Sequence, residues 1–167
     1  MPSAEVRAAV TEFFASANIP GLNKVHSAPP YWVDGSEWDL AASLGSGAVA
    51  AVHLVEDSES RITVPALTGQ KMIEYVVGLM VFYQWLLPSN TLTPVDEAAW
   101  ADPLDIIIDG IKARLRSDPN CGLPAVVWQS AQSKNDVRIK RDIPRKFNGK
   151  VLSWNVVEFQ VTEEITA

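Results

Sequence analysis

The feature that most constrains this chain is the run from Met72 to Leu87, which is apolar on both alternating sides. Ile73, Tyr75, Val77, Leu79, Val81, Tyr83 and Trp85 share one parity, and Met72, Val76, Met80 and Phe82 share the other. Richness in Val, Tyr, Phe and Trp is the composition of a strand. The most apolar part, Tyr75 to Leu87, contains Gln84 and falls short of the roughly 20 residues a membrane-spanning helix needs. A strand apolar on both sides is central in its sheet or is covered on its outer side by a partner. The fold must therefore be built around this strand, with Gly78 a point for a bulge or bend.

The flanking segments supply helices and further strands. Residues 3 to 17 read as an amphipathic helix, with Ser3 as cap, Glu5 at the positive end of the dipole, and Val6, Val10, Phe13, Phe14 and Ala17 on one face. Pro20-Gly21 stops it, and a short extended piece runs from Leu22 to Ser27. Ala48 to Glu56 and Arg61 to Leu67 read as a hairpin joined by the polar turn Asp57-Ser58-Glu59-Ser60, with Pro65 marking an edge or a strand end. A second helix is expected near residues 102–117, with Asp102 as cap, Pro103 first, and Leu104, Ile107, Ile108, Ile111 and Leu115 as its stripe. Ala125 to Ala131 and Val151 to Val161 complete the strands; in the last, Val151, Val157, Phe159 and Val161 oppose Trp154, Glu158 and Gln160. The order predicts an α+β fold: a mostly antiparallel sheet flanked by an N-terminal helix and a second helix, as one domain over residues 1–167.

Charge is the second informative property. The net charge is −6, yet seven of the fourteen Lys and Arg residues lie between Lys134 and Lys150, against only Asp136 and Asp142. The remainder of the chain is distinctly acidic. The basic segment has three readings: a solvated loop, a nucleic-acid contact weakened by the acidic remainder and the single aromatic Phe147, or a docking element for an acidic neighbour. A second copy of this chain is such a neighbour, so head-to-tail copies are complementary.

Residues able to do chemistry are sparse. Gly45-Ser46-Gly47 lacks the lysine and trailing glycine of a phosphate loop. His26 and His53 are far apart in sequence, with a single cysteine to join them, so no metal site is expected. No Gly-x-Ser-x-Gly elbow occurs, and Cys121, at a helix C-terminus, meets the dipole end that opposes a thiolate. Asp102, Asp105 and Asp109 read as the solvated face of the second helix. One cysteine fits a reducing compartment, and Met1-Pro2-Ser3-Ala4-Glu5 has no basic segment leading into an apolar one, so no signal peptide is expected. No catalytic residue, cofactor or metal is expected, and the chain reads as a subunit and not an enzyme.

The N-terminal helix leads to Ile19-Pro20-Gly21-Leu22-Asn23-Lys24-Val25, then a hairpin, the long strand around Glu74-Tyr75-Val76-Val77-Gly78-Leu79, an acid-headed helix, and the closing Leu152-Ser153-Trp154-Asn155-Val156-Val157-Glu158-Phe159-Gln160-Val161. This order resembles the tail terminator (tail completion) proteins of long-tailed bacteriophages. It covers nearly the whole chain in layout without a diagnostic motif; neck and head-tail connector proteins of the same particles are similar. The resemblance implies a virion structural protein assembled in the host cytoplasm into a homo-oligomeric ring, usually a hexamer, that caps the tail tube and meets the neck or connector. It also implies that DNA passes through the ring without specific binding, and that no membrane is involved. Composition offers Arg138, Lys140, Arg141, Arg145 and Lys146, with Trp32 and Trp38, as interface residues; charge reversal at Arg138 and Arg141 should then abolish ring formation or tail joining. Readings of other classes are a small ligand-binding or enzymatic α+β domain without a sequence signature, and an adaptor that binds a protein partner.

Overall fold

The computed structural model describes residues 1–28, 46–61, 70–86, 94–124, 127–129, 137–147 and 150–166. Trp32, Trp38, Pro65 and the hairpin strand expected beyond Arg61 lie outside these residues.

Helix α1 spans Ser3–Ala15 and buries Val6, Val10, Phe13 and Phe14, the face its spacing predicts. Its start differs from expectation. Pro2 holds the extended cap position and its carbonyl accepts from the N–H groups of Glu5 (2.9 Å) and Val6 (3.3 Å). Ser3 is already helical, and its hydroxyl instead lies 3.5 Å from Asp57 Oδ2.

Helix α2 spans Pro94–Ser117, beginning eight residues before the expected start. Pro103 is therefore inside the helix and Asp102 is not its cap. A proline ring removes one N–H from the ladder but leaves the preceding and following turns hydrogen-bonded, and Pro94 itself fills the first position, where proline costs least. The expected stripe holds: Leu104, Ile107, Ile108, Ile111 and Leu115 are all buried.

Among the described residues, seven strands form one sheet. Strand β1 (Leu22–His26) runs parallel to β2 (Ser46–Arg61). Strand β2 is antiparallel to β3 (Gln70–Leu86), which is antiparallel to β7 (Lys150–Thr166). The far edge of β7 is taken in turn by β6 (Arg145–Phe147), β5 (Val137–Lys140) and β4 (Val127–Gln129). The doubly apolar strand is thus central, as its composition requires.

Strand β2 does not turn at Asp57–Ser60. Those residues continue the strand, with Asp57 opposite Tyr75, Ser58 opposite Glu74 and Glu59 opposite Ile73. Pairing to a long partner supplies the backbone hydrogen bonds that a polar tetrapeptide would otherwise find in a turn. A register shift between Leu54 and Glu56 leaves Val55 as the extra residue.

The two faces of the sheet differ. Tyr75, Val77, Leu79, Val81, Tyr83 and Trp85 line up with Ala48, Ala50 and Val52 of β2 and with Val151, Val157, Phe159 and Val161 of β7. Both helices pack on this inner face, in one continuous core. Phe14 meets Phe159 edge to face at 6.2 Å, and Arg114 of α2 donates from Nε to the Phe13 carbonyl (3.2 Å) with its guanidinium 4.0 Å from that ring. Burying side chains of this size contributes roughly 1.5–3 kcal/mol each, so the helices are held mainly by this layer. The outer face carries no described helix.

Candidate assembly surface

The outer face is built from the other parity of the same strands. Gly78 sits at its centre: a Cβ there would lie 3.1 Å from Val55 Cγ2 and 3.6 Å from Val156 Cγ1, so the side chains of β2 and β7 close over a notch that only glycine leaves. Phe82 is buried, and Trp154 leans on it edge to face at 5.3 Å. Trp154 remains 55 % exposed and Val55 47 % exposed. Among the described residues no helix covers these two side chains, and apolar groups exposed on a sheet face are candidates for contact with a partner.

The basic segment borders this face. Its alternation places Val137 and Ile139 toward the core, opposite Phe159 and Val157, and leaves Arg138 and Lys140 on the outer side, opposite Glu158 and Val156. Within the segment, Val137–Lys140 and Arg145–Phe147 are strands and not a solvated loop.

The fold divides the basic residues by their partners. Lys140 Nζ is 2.5 Å from Glu158 Oε1. Arg141 Nη2 is 2.5 Å from Asp105 Oδ1 of α2, and Arg145 Nη2 lies 3.9 Å from Asp142 Oδ1. Arg138 is exposed and has no ion pair among the described residues. Lys146 lies on β6. A shallow groove crosses the outer face from Val55 and Glu56 to Arg138 and Lys140, with Val76 and Glu158 on its floor. The five basic residues are therefore neighbours along one sheet edge, while Trp32 and Trp38 lie outside the described residues. Sequence reading does not single out Val55, Trp154 or Glu56; the strict alternation of β7 is the signal for Trp154.

His26 pairs with Ala51 and His53 follows two residues along β2, but no group of three metal-ligating side chains forms among the described residues. Burial, aided by the carboxylate of Asp118, pushes the Cys121 thiol up to about 12. Burial and a 3.0 Å contact with Glu163 Oε2 push the Tyr75 phenol up to about 12 as well. A hydrogen bond from Lys112 holds the exposed Asp109 carboxyl below its usual range, whereas Asp105 on the same helix is half-buried against Arg141 and is not part of a freely solvated face. No described helix is long and apolar enough to cross a membrane.

The chain matches no protein-family model and none of the curated proteins it was compared with.

Proposed function

We propose that this chain is the structural subunit of a phage tail-terminator ring, which caps the tail tube and joins it to the head or neck. The observation that carries the reading is the outer sheet face. It bears exposed Trp154 and Val55 beside Arg138 and Lys140, while both described helices lie on the opposite side. A face of this kind suits contact with other protein subunits, because apolar anchors ringed by charge are the usual composition of an interface. The element order, which resembles that of tail terminators, supports this assembly over others. The net charge of −6 agrees with a lumen that lets DNA pass, since a strongly basic wall would bind phosphates through counterion release.

The test is to image the purified protein by negative stain, alone and mixed with tail tubes. Rings with a central opening seated on tube ends are expected. Bare tube ends, with no ring in either sample, would sink the reading.

A further inference from the structure

We infer that two stretches of sheet edge with no strand beside them among the described residues, one acidic on β2 and one basic on β5, are the two halves of a head-to-tail contact between copies of this chain. The inference rests on the subunit-assembly reading and names the surface through which it occurs.

The acidic edge belongs to β2. Strand β1 covers it only from Ala48 to Ala51, so Val52 to Arg61 have no strand on that side among the described residues. This open stretch carries Glu56 and Asp57, both exposed, beside exposed Val55. The basic edge belongs to β5, whose far side likewise has no strand among the described residues. It carries exposed Arg138, and in the link that leads from β5 to β6 Ile143 is 78 % exposed. Among the described residues each edge thus offers backbone hydrogen-bonding groups and a charge, with an exposed aliphatic side chain on or near it.

An open edge is an aggregation hazard, and charges along it are a common guard. The guard here is directional. Two β2 edges brought together repel, as do two β5 edges, whereas a β5 edge and a β2 edge attract. The strand directions also agree. Strand β2 runs with β7 and against β5, so a sheet continued from β5 of one copy into β2 of the next keeps the antiparallel pattern. Glu56 lies on the outer face opposite Val76, and Arg138 on the same face opposite Glu158. With both copies keeping their helices on the inner side, Arg138 and the neighbour's Glu56 fall on one face as cross-strand neighbours, within about 5–8 Å at Cβ. The contact is heterologous, so repetition closes a ring or extends a filament, according to the rotation per copy.

Two single variants test it. Arg138→Glu puts a carboxylate at the β5 side of the contact, and Glu56→Arg puts a guanidinium at the β2 side. The wild type should self-associate in sedimentation velocity and native mass measurements. Each variant alone should associate about tenfold more weakly, because a like pair replaces an unlike one. An equimolar mixture of the two should regain wild-type association. In alternating copies, the new carboxylate of one variant meets the new guanidinium of the other, and the unchanged Arg138 meets the unchanged Glu56. Recovery on mixing also shows that both variants are folded. Variants that associate like the wild type, or a mixture no better than either alone, would overturn the edge contact while leaving ring formation through another surface intact. A wild type that stays monomeric up to millimolar concentration would also overturn it, whereas the terminator reading is judged separately at tube ends.

Discussion

At the scale of single residues, the most telling behaviour is that of two buried acids whose protons are held more tightly than usual. Cys121 is completely buried in the turn after α2, with a left-handed φ of 52°. Its thiol and the Tyr75 phenol both have folded-state values of about 12, above the ordinary 9.0 and 10.0. The folded chain then keeps protons that the unfolded chain has lost, so the stabilisation is whole below about pH 9 and drains away as pH rises toward 12. Each group contributes a slope of about 1.4 kcal/mol per pH unit inside its own window. Denaturant midpoints measured from pH 8 to pH 10.5 should fall steadily above pH 9, and Cys121→Ser should flatten the part of the fall between pH 9 and pH 10. A wild-type midpoint that does not move over this range would show that neither group is shielded as described.

At the scale of elements, helix α2 shows how close packing overrides local preference. Gly110 lies inside it, where alanine would normally gain about 1 kcal/mol of helix stability. A Cβ at Gly110 would lie 2.7 Å from Cγ2 of Ile19, a branched position that cannot swing aside. Overpacking of this kind costs about 1–3 kcal/mol, so Gly110→Ala should destabilise by roughly 1 kcal/mol net, and adding Ile19→Ala should cost less than the two changes summed. A stabilised Gly110→Ala protein would refute the contact. The same scale shows what can be read from sequence. The stripes of both helices, the central place of β3 and the alternation of β7 are legible, because each is a local periodicity that burial enforces. Asp57–Ser60 resembles a turn because polarity is local information, whereas the strand that pairs with it lies 12 or more residues away. The start of α2 is hidden by Asp102-Pro103, a strong local start signal that the longer helix runs through. Of the candidate surface, clustering of the basic residues is visible in composition. That Lys140 and Arg141 are matched by Glu158 and Asp105, while exposed Arg138 has no ion pair among the described residues, depends on contacts that only the folded sheet creates.

At the scale of the whole molecule, two electrostatic effects oppose each other, and their balance can be measured. Copies carrying a net charge of −6 repel at long range, while the β5 and β2 edges attract at short range. Raising ionic strength shortens the Debye length from about 10 Å at 0.1 M to about 3 Å at 1 M and weakens both. If association ran only through the apolar outer face, around Trp154 and Val55, salt would relieve the repulsion and strengthen it. With the charged edges in the contact, the exposed pairs lose their attraction as well. One or two such pairs, at about 0.2–1 kcal/mol each, correspond to roughly a fivefold weakening of self-association between about 50 mM and about 500 mM salt. Sedimentation across that range decides which force governs. A fall in association for the wild type, absent in the Arg138→Glu protein, places the edges in the contact; a rise for the wild type would assign association to the apolar face and remove the edges from it.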